Sequence, residues 1–286
     1  MKYLITGAYG QLGYAFRSIL SEKGEVIFLF GKEELDITDL RSIRETVEKI
    51  KPNYIINCAA YNAVDKAEED WETAYLVNGI GPRNLAITCQ EKDIPLVHYS
   101  TDYVFDGKKG SPYTIADEPN PINQYGKSKL LGERFVQSLC NRYLLIRTSW
   151  VFGPGGKKNS NFVDKVLSWA EKSDHLKIVD DEISSPTYTF DLAKATLEIL
   201  AQRAWGLYHI TNKESCSRYE WAKVILETMG WEGTLVPAKS DDFQTNTVRP
   251  KLSFLNSSHL ISPKINIERW EIATSRFLKS WRESTS

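Results

Sequence analysis

The first half of the chain is divided by short, uninterrupted apolar runs: YLIT (3–6), VIFLF (26–30), YIINC (54–58), PLVHYS (95–100) and YLLIRTS (143–149). Each is too short for a helix and rich in β-branched and aromatic residues, so each predicts a strand covered on both faces. Between them the apolar positions recur at helical spacing over Leu12–Leu20, Leu40–Ile50 and Trp71–Cys89. A further stripe follows at Leu130, Leu131, Phe135, Val136 and Leu139. Strand–helix alternation of this kind predicts an α/β fold built on a doubly wound parallel sheet with right-handed crossovers.

After about residue 150 the rhythm changes. A glycine-rich loop at 153–156 leads to an amphipathic helix over Phe162–Trp169, the strand LKIVD (176–180) and a helix from Phe190 to Ala201. The run LYHIT (207–211), a helix over Tyr219–Met229 and a last helix around Trp270–Trp281 complete the chain. The pattern divides into residues 1–150, with part of 176–205 returning to them, and a smaller C-terminal lobe made mainly of 151–286. The polar stretch KSDDFQTNTVRPK (239–251) reads as a surface loop over a site.

Composition removes several function classes. The 286 residues carry 36 basic and 37 acidic side chains, a net charge of −1, which argues against nucleic-acid binding through a basic surface. Cys58, Cys89, Cys140 and Cys216 form no CxxC pair and the four histidines show no close ligand spacing, so buried free thiols and no metal site are expected. A single lysine before YLITG is too little for a secretion signal, and no apolar window is long enough to span a membrane. A cytoplasmic protein with no membrane partner is the expectation.

Chemistry enters with TGAYGQLG, directly after the first predicted strand. Gly7, Gly10 and Gly13 at that position permit a tight turn and let backbone N–H groups approach a pyrophosphate at a helix N-terminus. Residues 1–150 thus read as a Rossmann-type NAD(P)-binding domain, with the second lobe left to bind substrate. The second strand runs into Gly31 and Lys32 with no carboxylate at its immediate end. Lys32 offers positive charge to a 2′-phosphate, which favours NADPH over NADH. Asp36 either contacts the adenine side or caps the next helix. Ala59 and Ala60 leave room for ribose and pyrophosphate where the third strand ends.

Tyr125 and Lys129 stand one turn apart at the start of a predicted helix, so their side chains share a face. A phenol needs help to exchange protons at neutral pH, and an adjacent ammonium would lower its pKa. Thr101, at the end of the fourth strand, adds a hydroxyl that can hold a substrate oxygen. Gly126, between the pair, is expected to keep the first turn clear for the nicotinamide ribose.

These residues together resemble the extended short-chain dehydrogenase/reductases. The resemblance is closer still to the dTDP-4-dehydrorhamnose reductase branch, in GQLG (10–13), LDITD (35–39), AAYNAVDKAE (59–68), STDYVFDG (100–107), YGKSKLLGE (125–133), RTSWVFG (147–153), SPTY (185–188) and RPKLS (249–253). It runs along nearly the whole chain. The resemblance implies reduction by NADPH of the C4 keto group of dTDP-4-dehydro-β-L-rhamnose, a step toward cell-surface polysaccharide. Tyr125 would be the acid, Lys129 its tuning cation and a ribose contact, and Thr101 the holder of the C4 oxygen. Gln11, Leu12, Asp36, Ile37, Ala59, Ala60 and Asn62 map to cofactor contacts, while Asp102 and Trp150 join Thr101 at the sugar. Mg2+ and a homodimer are further implications of the branch, and no divalent-ion motif stands in the chain.

Two departures bear on the substrate: Asn62 stands where the branch often has Thr, and Glu182-Ile183-Ser184 where it has Gln-x-Gly. Tyr103 is expected to face the sugar and Arg249, in TVRPK, to contact the diphosphate. The rivals are another nucleotide-sugar 4-ketoreductase, an epimerase or dehydratase of the same fold, and a non-catalytic cofactor-binding subunit. Dehydratases of this group resemble one another in a Thr-Asp-Glu run, and here the third position is Tyr103.

Overall fold

A computed structural model describes residues 1–157, 160–257, 265 and 267–285. Side chains of strand β1 (Lys2–Thr6) alternate between two cores: Tyr3 and Ile5 enter one, Leu4 the other. The same alternation in β3 (Tyr54–Asn57) sends Ile55 and Ile56 to opposite faces. A strand that feeds two cores must lie inside a sheet covered on both sides.

That sheet also contains β2 (Val26–Phe30), β4 (Leu96–Thr101) and β5 (Tyr143–Thr148). The second half of the chain adds β6 (Val151–Phe152), β7 (His175–Val179), β8 (Ile183–Ser184), β9 (Thr187–Tyr188), β10 (Gly206–His209), β11 (Cys216–Ser217) and β12 (Thr234–Ala238). The main sheet has the order β10-β5-β4-β3-β1-β2 and every pairing in it is parallel. It therefore has six strands where the first half of the sequence shows five, because LYHIT pairs with β5. The strand order reverses between β1 and β3, which opens a crevice at the carboxyl edge there.

Helix α1 (Gln11–Glu22) covers one face of the sheet, and α2 (Leu40–Ile50), α3 (Trp71–Tyr75), α4 (Gly81–Glu91) and α5 (Gln124–Leu139) lie on the other side. The second half contributes α6 (Phe162–Ala170), α7 (Thr189–Ala201), α8 (Arg218–Met229) and α9 (Trp270–Thr285). Leu192, Leu197 and Leu200 of α7 pack with Phe16 and Ile19 of α1, so α7 belongs to the sheet's core. Helices α6, α8 and α9 share a separate core around Trp221, Phe152 and Phe277, beside the parallel pair of β7 and β12.

The single helix expected over Trp71–Cys89 is instead three segments, since Leu76–Ile80 between α3 and α4 forms a π-helical turn. A widened turn puts the Asn78 carbonyl against α5, where a methyl group at Gly132 would lie 2.2 Å from it. The approach is backbone to backbone, so nothing can rotate out of the way. Gly132→Ala is expected to destabilise the protein by about 1–3 kcal/mol in urea unfolding, through forced displacement of the α4–α5 pair.

Candidate active site

The turn after β1 is built by Gly7, whose φ of +61° is in the left-handed region and whose missing side chain would strike the Ala59 nitrogen at 2.5 Å. Gly10 is the N-cap of α1 and gives that helix no side-chain cap, so its first N–H groups face the crevice. Gln11 and Leu12 open the helix, Gly13 packs on Ala8, and the Gln11 amide donates to Ser160 Oγ at 2.8 Å while its buried carbonyl oxygen has no partner. Uncapped N–H groups at a helix start, a tight glycine turn and an orphaned acceptor make a cradle that fits a dinucleotide's pyrophosphate.

The neighbouring loops complete the crevice. Asn57 accepts from Thr6 Oγ1 at 2.6 Å and from the Ala59 N–H at 3.1 Å, and its amide meets His98 Nδ1 at 3.0 Å, which fixes where Ala59 and Ala60 leave β3. Asn62 follows in the same loop, held through Tyr61, whose N–H donates to Asn78 Oδ1 at 2.9 Å. Asp36 does not cap α2. It accepts from the Thr38 N–H at 2.9 Å, and Asp39 is the cap, accepting from the N–H groups of Arg41 and Ser42. Ile37 is buried beside Gly81. Lys32 is exposed at the rim. Sequence reasoning finds no acid at the end of β2, but the chain folds Glu34 back there, where its carboxylate accepts from the Gly31 N–H at 2.8 Å.

Across the crevice α5 carries Tyr125 and Lys129, both buried. Its first turn is pressed on the turn after β4: a methyl at Gly126 would meet the Tyr103 carbonyl at 2.2 Å. Close packing on Tyr103 thus demands Gly126, a stronger constraint than the open first turn expected for it. Thr101 ends β4, and its hydroxyl donates to Asp102 Oδ1 at 3.0 Å, accepts from the Tyr103 N–H at 3.1 Å and reaches Tyr125 as a hydrogen-bond partner. The rings of Tyr103 and Tyr125 meet edge to face with centroids 5.9 Å apart.

The electrostatics differ from expectation. Burial raises the Tyr125 phenol well above its ordinary pKa, and the Thr101 hydrogen bond only partly offsets this. Lys129 Nζ donates to the Tyr99 carbonyl at 2.5 Å, and burial is the largest influence on the phenol. Burial brings the Lys129 ammonium down to about 8, while Glu133, one turn on, pulls it back up. Glu133 itself is held by a buried two-pronged pair with Arg147 of β5, whose NH2 donates to Oε2 at 2.7 Å.

The lobes meet at Asp102. Its carboxylate is buried and accepts from Ser253 Oγ at 2.5 Å and Ser184 Oγ at 3.0 Å, both from the second lobe, besides Thr101. Trp150 sits at the seam with φ +44°, and the Arg218 guanidinium lies over its ring at 3.6 Å. Arg249 reaches back across the seam to an ion pair with Asp65 at 2.5 Å, and Asn123 donates to the Val248 carbonyl at 3.0 Å.

A family model described as the RmlD substrate binding domain matches residues 1–283. The chain belongs to this family. It is 38% identical to the spore coat polysaccharide biosynthesis protein SpsK of Bacillus subtilis, over 97% of each chain. Among solved structures it resembles a dTDP-4-dehydrorhamnose reductase of Clostridium acetobutylicum, with 37% identity, a TM-score of 0.95 and coverage of 99% of this chain and 100% of that one. It also resembles the Bacillus anthracis dTDP-4-dehydrorhamnose reductase solved in complex with NADP, with 37% identity, a TM-score of 0.93 and coverage of 98% and 99%.

Within this RmlD-type frame the structure brings Thr101, Tyr103 and Tyr125 together with Lys129 one turn along α5, and sets Ala59 against the glycine turn from which Gln11 and Leu12 begin α1. Sequence reading missed Glu34, Ser184, Ser253 and Arg218. The serines have no local signal, because their partner is far away in the chain. Arg218 had one, since SCSRYE contains the capping box of Ser217 and Glu220 that places it at the first position of α8. Among the described residues no three His, Cys, Asp or Glu side chains are grouped to hold a metal ion, so the implied Mg2+ finds no fitting site there. Among those residues, too, no helix is long and apolar enough to cross a membrane.

Burial raises the Asp102 carboxyl from its ordinary value to about 6, against the pull of its three hydroxyl donors and of Arg218. A carboxyl with a raised folded pKa favours the folded state below its unfolded pKa. That contribution disappears as pH rises through 4 to about 6. Asp102→Asn removes this titration. Relative to the wild type, the variant should gain up to about 3 kcal/mol of unfolding free energy between pH 4 and pH 7, measured by urea titration at each pH.

Proposed function

We propose that the protein is an NADPH-dependent reductase that converts the C4 keto group of dTDP-4-dehydro-β-L-rhamnose to the alcohol of dTDP-β-L-rhamnose, serving surface polysaccharide synthesis in the cytoplasm. The observation that carries the reading is the buried phenol of Tyr125 hydrogen-bonded to Thr101 at the carboxyl end of β4, on the crevice that the glycine turn opens. The nicotinamide, when bound, supplies the hydride for C4.

Tyr125 gives its proton to the oxygen that becomes the C4 hydroxyl, and because burial makes the phenol a weaker acid the donation depends on a cation that stabilises the phenolate. The Thr101 hydroxyl holds the same oxygen. Lys129, fixed by the Tyr99 carbonyl, presents its charge to the ribose and to the phenolate left behind. Gly7, Gly10, Gly13, Gln11 and Leu12 take the pyrophosphate, Ala59, Ala60 and Asn62 the adjoining sugar, and Asp36 and Ile37 the adenine side. Asp102 and Tyr103 shape the sugar pocket with Trp150, and Arg249 serves the diphosphate by exchanging its Asp65 partner. Tyr103 where a dehydratase of the group has glutamate speaks against elimination. The joint presence of Tyr125, Lys129 and Thr101 speaks against a merely regulatory subunit.

The choice of NADPH rests on Lys32 and on the NADP-bound relative from Bacillus anthracis. Lys32→Ala should raise the Kd for NADPH about three- to tenfold, by loss of one charge-assisted contact, and leave that for NADH nearly unchanged in fluorescence titration.

The reaction itself is tested by the decay of NADPH absorbance with the dTDP-4-keto sugar. Tyr125→Phe should lower kcat by about a hundred- to ten-thousandfold while its affinity for NADPH stays close to that of the wild type. A wild type that binds NADPH yet turns over no 4-keto sugar nucleotide would sink the reading.

A further inference from the structure

Arg218 and Glu182 stand out as charges without a hydrogen-bonded or ionic partner among the described residues. The Arg218 guanidinium is stacked on Trp150 at 3.6 Å and lies 4.8 Å from the Phe162 ring, and burial lowers its pKa. Cations withdrawn from water are normally paired. Arg218 makes no hydrogen bond or ion pair with any described residue. Glu182, half-buried just before β8, likewise has no hydrogen bond or ion pair among the described residues, and burial raises its pKa.

The two feel each other's charge but do not touch. Their neighbours are already engaged: Asp102 by three hydroxyls, Arg249 by Asp65. Glu182 stands two residues before Ser184, whose hydroxyl donates to Asp102 beside Thr101, and Arg218 lies on Trp150, so both border the side of the site assigned to the sugar. A phosphate placed between them would be drawn to Arg218 and repelled by Glu182. A pair of adjacent hydroxyls meets no such conflict, since one can accept from the guanidinium and the other donate to the carboxylate.

We infer that Arg218 and Glu182 read two neighbouring hydroxyls on the sugar, one by donation and one by acceptance, with Trp150 holding the guanidinium flat against the pocket wall. The inference rests on the proposed function and names the feature of the sugar that the site selects. A sugar lacking either hydroxyl leaves a half-buried charge unsatisfied and is rejected.

The test separates sugar binding from nucleotide binding by calorimetry with dTDP and with dTDP-rhamnose, on the wild type, Arg218→Met and Glu182→Gln. Each variant should lose about tenfold or more of the preference for dTDP-rhamnose over dTDP, with the Kd for dTDP itself changed less than about twofold. The two residues lie on different elements and make no hydrogen bond to lose, so either folded variant decides the matter.

Equal weakening of dTDP and dTDP-rhamnose would assign Arg218 to the diphosphate and overturn the proposal. So would an unchanged preference, and in both cases turnover by the wild type leaves the reductase reading standing. A wild type that shows no preference for dTDP-rhamnose and reduces no 4-keto sugar nucleotide removes the functional reading and the hydroxyl reader together.

Discussion

Helix α5 can lie where it does only because two of its residues have no side chain. Gly126 lets its first turn touch the Tyr103 carbonyl, and Gly132 lets its middle touch the Asn78 carbonyl in the π-helical turn. Between these two contacts the helix has no freedom to roll, so Lys129 is aimed at the Tyr99 carbonyl and Tyr125 at Thr101. The buried Glu133–Arg147 pair locks the same helix to β5 one turn further on. A site that must place a phenol against a hydroxyl gains its accuracy from backbone contacts, which cannot change rotamer.

The second lobe is joined to this frame through apolar contacts, such as Leu255 on Val104, Phe105 and Leu130, and through polar groups. The sheet core, which includes α7, and the core of α6, α8 and α9 are separate clusters, and the polar links across the seam are Ser184 and Ser253 on Asp102, Arg249 on Asp65 and Asn123 on the Val248 carbonyl. Asp102 is the neighbour of Thr101, so whatever fixes the seam also fixes the hydroxyl of the proposed site. Sequence resemblance expects Asp102 at the sugar, and the structure shows its carboxylate already holding three hydroxyls. Its influence on a ligand would pass through the position of Thr101.

The parallel sheet, its helices and the crevice at the glycine turn were legible in the sequence because they depend on local periodicity and on glycine at fixed places. The strands VIFLF and YLLIRT and the helix Leu40–Ile50 follow from that pattern alone. What was not legible depends on contacts distant in the chain. The π-helical turn at Leu76–Ile80 answers to Gly132, and β10 joins the sheet only because α7 carries the chain back over α1. The direction of the Tyr125 pKa shift was misjudged for the same reason. Spacing places a lysine near a phenol, but it does not reveal how deeply the phenol is buried, and burial dominates its acidity.

That misjudgement changes the chemistry expected of the pair. A phenol acidified by its neighbour would exist partly as phenolate, which suits the removal of a proton from an alcohol. A phenol whose pKa is raised by burial keeps its proton but gives it up less readily, so donation to a ketone that accepts hydride needs a counter-charge for the phenolate. Lys129 then matters after the proton has gone, when a buried phenolate would otherwise stand without a counter-charge. Its own pKa of about 8, raised back toward its normal range by Glu133, keeps that charge available at neutral pH. The Glu133–Arg147 pair thus has a consequence beyond fixing the helix: it sustains the ammonium through which burial and proton donation are reconciled.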